Sequence, residues 1–351
     1  MNRVNTVNTV NTVKTDSSTV VLGIETSCDE TAAAIVMGGN DVLSSVVASQ
    51  LEIHARFGGV VPEIASRAHL EAITPVISQA MQKSGLSFDR VDAVAATVGP
   101  GLIGALLVGV SAAKSLALVL DVPFVGVNHL EAHLYAAMLD DPNVEFPMLV
   151  LLVSGGNTLL VEVREHGVYK IVGQTRDDAA GEAFDKVARF LDLGYPGGPA
   201  IDALAKTGDS KAIDFPRAML NDGLDVSFSG LKTAVINHVR KYPDSKTKDI
   251  AASFQSAVVD VLVAKTLRAA ENLGARTVAI GGGVAANSQL RSEISSACAR
   301  KDFHVVLPSL AMCTDNAAMI ASAGWHRLRL TGSTALDSGA YPNLGLTVAQ
   351  G

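Results

Sequence analysis

Two stretches far apart in the chain repeat one pattern of residues. In the first, the apolar runs Val20 to Glu25 and Thr31 to Met37 flank a polar turn, Thr26-Ser27-Cys28-Asp29-Glu30. In the second, Phe146 to Val153 and Leu159 to Val163 flank Ser154-Gly155-Gly156-Asn157-Thr158. Apolar runs of this length, bounded by small polar residues, read as β-hairpins. Two such hairpins, alike in pattern and not in residue identity, suggest an internal duplication with both tips facing one ligand. A chain of 351 residues is long enough for two domains of ordinary size.

Around the hairpins, strand patterns alternate with helical ones, which predicts an α/β fold. Asp41 to Gln50 is a candidate third strand, and Pro62 suits the first turn of a helix running to about Lys83. The strand Val91 to Val98 leads through Gly99-Pro100-Gly101-Leu102-Ile103-Gly104 into a helix ending near Leu120. Glycines between a strand and a helix let backbone N–H groups approach an anion, or simply allow close packing. The pattern recurs at Gly281 to Asn287, after the strand Thr277 to Ile280. Asp140-Asp141-Pro142-Asn143 marks a lobe boundary. Later helices are expected from Asp177, at Ile201 to Lys206, after Ser227 to Thr233 and over Ile250 to Leu273. Phe303 to Leu307 is the last strand; the final helix runs from Cys313-Thr314-Asp315-Asn316 to about Leu328, with Thr314 or Asp315 near its cap.

The strongest chemical signal is His129-Leu130-Glu131-Ala132-His133, after the strand candidate Val122 to Val127. Four apart on a helix, the two imidazoles share a face and lie close enough to share an ion. His pairs of this spacing are more often solvated or satisfied in a core. Here the position at a strand's end, the lack of an obvious local charge partner and the downstream carboxylate Asp315 favour a metal site. Two His and one carboxylate suit zinc or ferrous iron and leave open positions for substrate. A zinc protease would carry His-Glu-x-x-His. The order here is His-x-Glu-x-His, and at about 100° per residue Glu131 is swung roughly 200° from His129. Peptide hydrolysis thereby loses its general base. The glycine-bearing turns fit group transfer on a nucleotide better, and residue spacing alone stops there.

A net charge of −7 speaks against broad nonspecific nucleic-acid binding, but not against a local basic patch or a partner that supplies one. Three cysteines (Cys28, Cys298, Cys313) without a Cys-x-x-Cys point to a reducing cytoplasm. The most apolar run, Leu102 to Ala113, stops at Lys114, short of the roughly 20 residues of a membrane span, so no membrane segment is expected. Residues 1–18 repeat Val-Asn-Thr from Val4 to Val13, lack the apolar region of a signal peptide, and are expected to be a disordered tail.

Ten motifs then follow one another: VLGIETSCDET, FGGVVPEIASR, GPGLIGALLVG, HLEAH, VSGGNT, DDAAGEAFDK, YPGGP, SFSGLKT, GGGVAANSQLR and CTDNAAMIA. In this order they resemble the tRNA threonylcarbamoyladenosine synthases of bacterial type, formerly called O-sialoglycoprotein endopeptidases, from about residue 20 to 345. The resemblance implies a two-lobed actin/Hsp70/sugar-kinase-like fold with the active-site cleft between the lobes. Lobe I would comprise 19–145 plus 313–345, and lobe II 146–312. The implied reaction moves the threonylcarbamoyl group from threonylcarbamoyl-AMP to the exocyclic amine of the adenosine 3′ of the anticodon, in tRNAs reading codons that begin with A. Carried over residue by residue, one divalent metal, Fe(2+) first and Zn(2+) second, falls to His129, His133 and Asp315. Contacts to the intermediate fall to Leu152, Val153, Ser154, Gly155, Gly156, Asp185, Gly198, Asp202 and Asn287. Asp29 and Glu30 occupy acid positions that matter for activity, and one of them would take the amine proton. The implied partners are tRNA, an inactive paralogue of the TsaB type that dimerises with lobe I, and a small P-loop ATPase of the TsaE type. Asn157 departs from the pattern, standing where bacterial members usually carry His. A metal-dependent endopeptidase of the glycoprotease type is the alternative.

Overall fold

The computed structural model describes residues 15–141 and 143–346. Of the expected tail, residues 1–14 lie outside the described residues, but 15–18 do not fit a disordered end. The Asp16 carboxylate accepts the Ser18 N–H at 2.8 Å, and the Asp16 carbonyl accepts Trp325 Nε1–H at 3.3 Å.

The first sheet is built from β1 (Val20–Glu25), β2 (Glu30–Met37), β3 (Asp41–Ser49), β4 (Ala93–Gly99) and β5 (Phe124–Asn128), in the order β3-β2-β1-β4-β5. The second is built from β6 (Met148–Val153), β7 (Thr158–Glu165), β8 (Val168–Gln174), β9 (Thr277–Gly281) and β10 (His304–Val306), in the order β8-β7-β6-β9-β10. In both, the first three strands pair antiparallel and the last two join parallel. The two hairpins read from the sequence are therefore the same corner of two sheets of one design.

The helices are α1 (Leu51–Ala55), α2 (Pro62–Ser84), α3 (Ile103–Leu120), α4 (His129–Asp140), α5 (Ala180–Phe190), α6 (Gly197–Ala205), α7 (Ser229–Lys241), α8 (Thr247–Leu273), α9 (Ser288–Arg300), α10 (Leu310–Cys313) and α11 (Ala317–Thr331). On one face of the first sheet, Ile73, Val76 and Ile77 of α2 and Val108 and Val110 of α3 pack on Leu22, Ile24 and Val94. On the other, Met319, Ile320 and Ala323 of α11 pack on Val21 and Val125. The second sheet is covered on one side by Phe184 of α5 and Phe254, Val258 and Leu262 of α8.

The remaining face of the second sheet meets α4. Leu130, Leu134 and Ala137 join Met148, Val150 and Leu152, while Ala132, Tyr135 and Ala136 of the same helix join the first sheet's core. A helix apolar on all sides has to be buried on all sides, and α4 satisfies that by lying between the two sheets. Lys114 does not end the preceding apolar stretch: α3 continues to Leu120, and the Lys114 ammonium reaches the Ser338 carbonyl. By length and composition, α3 and α8 both meet the minimum for a membrane span. Most of α8 lies inside the protein, as a core helix would.

α11 approaches β1 backbone to backbone. A Cβ at Gly23 would lie 2.3 Å from the Ala317 carbonyl and 2.7 Å from the Ala321 nitrogen. Neither atom belongs to a side chain that can move aside. Gly23→Ala is therefore expected to destabilise the protein by about 1–3 kcal/mol, as overpacked cores do, lowering the thermal unfolding midpoint.

Candidate metal centre

β5 ends at Asn128, whose side-chain carbonyl accepts the N–H groups of Leu130 (2.9 Å) and Glu131 (3.3 Å) and so starts α4. His129 opens the helix and His133 lies one turn on. Their ring centroids are 4.8 Å apart, with the planes at 81°. Asp315 arrives from the far end of the chain: its Oδ1 lies 3.5 Å from His129 Nε2 and 3.3 Å from His133 Nε2. The expected cap at Thr314 or Asp315 is instead Asn316, whose Oδ1 accepts the Met319 N–H at 3.0 Å. That shift leaves the Asp315 carboxylate free to face the histidines.

The donor set fits a divalent ion. The three ligand atoms lie within 4.8 Å of one another, and both ring nitrogens of the buried His133 lack a hydrogen-bond partner. Buried polar atoms are nearly always satisfied, and a metal satisfies an imidazole nitrogen that no donor reaches. Two imidazoles and one carboxylate match zinc or ferrous iron and leave positions open for a substrate oxygen.

His129 does have a charge partner, which the local sequence does not reveal. Glu25, fully buried at the end of β1, accepts from His129 Nδ1 at 2.9 Å and from Thr97 Oγ1 at 2.7 Å, and takes the Ser27 N–H on its other oxygen. A carboxylate on the far nitrogen fixes an imidazole's tautomer and aims Nε2 at the ion. The available signal was an acid closing an otherwise apolar strand. Burial pulls the His129 pKa down, but the Asp315 and Glu25 carboxylates outweigh it and hold the imidazole at about 9. Burial pushes Asp315 up, and the His129 and His133 imidazoles more than reverse this, holding it below the usual carboxylate range. The negative charge that retains a proton on His129 equally favours a cation in the proton's place.

Glu131 faces elsewhere. It is buried and bonded to Arg327 Nη1 at 2.6 Å, so it cannot serve as a base at the centre.

The glycine-rich turns divide by role. At Gly99 to Gly104, the Gly101 and Leu102 N–H groups are taken by the Pro342 and Ser27 carbonyls, and Cβ atoms at Gly101 and Gly104 would strike Ser27 and Ser66. This turn serves packing. At the second sheet, Gly281 lies against the metal helix, where a Cβ would sit 3.3 Å from the His133 carbonyl. Gly282, at φ +85°, and Gly181 fit tightly against the carbonyls of Val153 and Ser154. Gly155, Gly156, Gly198 and Gly283 instead face open space and have no positive φ. No internal contact demands glycine at these four positions.

The other nucleotide-binding candidates stand around them. Leu152 and Val153 bury their side chains in the core, so only their backbone is available. The Asp185 carboxylate accepts the Gly197 N–H at 2.8 Å at the start of α6. Asp202 accepts from Ser288 Oγ (2.8 Å) and Gln255 Nε2 (3.1 Å), while Asn287 donates to Gln255 Oε1 (2.8 Å) and caps α9 through Leu290 N–H.

Glu30 accepts from Ser49 Oγ at 2.9 Å, and its second, buried oxygen has no partner. Burial pushes its pKa up to about 7; the Ser49 bond opposes this and the Asp29 and Asp315 charges add to it. Across from this tip, burial and then Asp29 raise the Tyr195 phenol to about 12, and Arg189 donates to the Gly58 carbonyl. The first hairpin tip thus faces the loops that open α6.

Two five-stranded sheets of equal topology place the protein in the two-lobed actin/Hsp70/sugar-kinase fold class. Solved structures agree: HypF from T. kodakarensis aligns with TM-score 0.63 at 14% identity, over 91% of this chain and 49% of that one. Component A of (R)-2-hydroxyglutaryl-CoA dehydratase from Acidaminococcus fermentans aligns with TM-score 0.54 at 16% identity, over 88% and 99%. Within that class the sequence is specific. The profile of TsaD, tRNA N6-adenosine threonylcarbamoyltransferase, matches residues 41–322. Proteins named tRNA N6-adenosine threonylcarbamoyltransferase are 53% identical in Symbiobacterium thermophilum (95% of this chain, 98% of that one) and 54% identical in Bacillus cereus (88% and 91%). The chain belongs to the tRNA N6-adenosine threonylcarbamoyltransferase family.

Glu25→Gln keeps the shape of the side chain and removes its charge. It is expected to weaken Zn(2+) or Fe(2+) binding by about 10–100-fold, measured by calorimetric titration of the folded protein.

Proposed function

We propose that the protein transfers the threonylcarbamoyl group of threonylcarbamoyl-AMP to N6 of the adenosine 3′ of the anticodon, in tRNAs reading codons that begin with A, and releases AMP. Family membership supports the reaction class. The observation that carries the site is the convergence of His129, His133 and Asp315 beside Gly281, at the edge of the open glycine turns.

The exocyclic amine is a poor nucleophile, so the chain must position it, accept its proton and hold the leaving phosphate. The backbones of Ser154-Gly155-Gly156 and Gly282-Gly283 hold the adenylate, with Leu152 and Val153 contributing main chain. Asp185 and Asp202 fix ribose hydroxyls, with Gly198 and Asn287 completing the cradle. As the amine forms its bond to the carbamoyl carbon, the bond from that carbon to the phosphate oxygen breaks and AMP departs. Glu30 takes the amine proton; burial, with the charge of Asp29 adding to it, keeps Glu30 basic enough for the task. His129, His133 and Asp315 would hold one divalent ion, Fe(2+) ahead of Zn(2+), which supplies Lewis-acid stabilisation of the phosphate or carbamoyl oxygens.

Lobe I is assigned to 19–145 plus 313–345 and lobe II to 146–312. A TsaB-type paralogue fits lobe I, where α3 exposes Ile103, Leu107, Leu118 and Val119 and α2 exposes Leu70. A TsaE-type ATPase and a separate enzyme making threonylcarbamoyl-AMP complete the set, in the cytoplasm where tRNA is modified. The endopeptidase alternative has no such support, since Arg327 holds the only carboxylate between the two histidines.

Nucleoside mass spectrometry of tRNA from cells depleted of the protein should show loss of threonylcarbamoyladenosine; an unchanged level refutes the reading. Asp315→Ala and His133→Ala should each lower transfer at least about 100-fold. A base with pKa near 7 is protonated below it, so transfer should rise about tenfold per pH unit up to roughly pH 7 and then level off. In Glu30→Gln the residual rate should lose this limb.

A further inference from the structure

α7 carries Lys232, Arg240 and Lys241 and no carboxylate, in a chain with 35 acidic and 28 basic residues. Its exposed positions Gly230, Thr233, Asn237, Arg240 and Lys241 recur every three or four residues, so they form one continuous solvent face. The near end of this face adjoins the glycine turns. Ser229 Oγ donates to Asp177 at 2.7 Å, Lys232 Nζ lies 3.4 Å from Asp178, and these acids lead into α5, whose Gly181 packs on Ser154. The far end, about 20 Å away for a helix of this length, is a basic corner. Between 240 and 249 stand Arg240, Lys241, Lys246 and Lys248 against two carboxylates, Asp244 and Asp249, the latter taking the Asp209 N–H. Among the described residues, none of these four cations forms an ion pair. Tyr242 is half exposed, with Lys241 Nζ 5.1 Å from its ring centre.

Cations in the last turn of a helix complement its dipole, and that accounts for Arg240 and Lys241. It does not account for Lys246 and Lys248. These stand at the N-cap and in the first turn of α8, where the dipole repels positive charge. Their placement opposes helix stability and suits an external anion.

We propose that the acid-free face of α7 and the corner after it bind the phosphate backbone of the tRNA, with Tyr242 placed to stack on an unpaired base. This inference rests on the reading of tRNA as substrate, and it places the backbone contacts on lobe II. A net negative protein thereby acquires one strip that does not repel its substrate.

The test uses the full-length protein purified from its own cells with whatever subunits accompany it, assayed for transfer to tRNA at several salt concentrations. R240E/K241E should raise KM for tRNA about tenfold at low salt, leave kcat within about twofold, and make the salt dependence shallower by about two phosphate contacts. Lys246→Glu places an acid where the α8 dipole favours one, so a raised KM in this variant cannot be loss of fold. Arg90→Glu, an exposed reversal on the first lobe, should leave KM unchanged. If tRNA is modified and KM is unaltered in the first two variants, or equally raised by Arg90→Glu, the proposed surface is wrong and the function stands. If the wild-type preparation modifies no tRNA, the function and this surface fall together.

Discussion

The approach of α11 to β1 at Gly23 is the contact on which the centre depends. Glu25 ends the same strand two residues later, and Asp315 lies just before the helix. One close packing therefore sets both the carboxylate behind His129 and the carboxylate in front of it. Residues 290 positions apart in the chain reach one imidazole from opposite sides because a strand residue without a side chain lets two backbones touch.

Much of this arrangement was legible in the sequence, and the rest was hidden for physical reasons. The hairpins, the His pair and the glycine turn after β9 were readable because their signals are local: continuous apolar runs, helical spacing, turn chemistry. Glu25 was not, because an acid at the end of an apolar run looks like the start of a loop until its partner, 104 residues away, is brought beside it. Asn316 was passed over as the cap because Thr314 and Asp315 are equally good cap formers, and only the demand on Asp315 from the histidines separates them. The turn at Gly99 could be read as an anion site or as close packing, and the structure shows packing. Its amides are spent on Ser27 and on the returning C-terminal segment, a long-range pairing that no local window contains. β8 and α1 went unread for a simpler reason: β8 is only partly buried and α1 is a single short, mostly exposed turn, so neither carries a strong apolar pattern.

The electrostatics of the first hairpin tip follow from crowding. Glu30 is desolvated with Asp29 and Asp315 near it, so it rises towards neutrality, whereas the two imidazoles hold the Asp315 carboxyl down. The Glu131–Arg327 pair sits on the opposite side of α4, where it fixes the rotation of the helix about its axis. On the other side of the helix both imidazoles turn Nε2 towards the Asp315 carboxylate.

α4 belongs to neither sheet alone. Leu130, Leu134 and Ala137 are held by one, Ala132, Tyr135 and Ala136 by the other, and the two imidazoles ride on the helix so gripped. A change in the packing of either sheet therefore bears on the spacing of the pair. The two imidazoles are thus mounted where both cores meet, with Gly281 of one sheet and Glu25 of the other against the same helix.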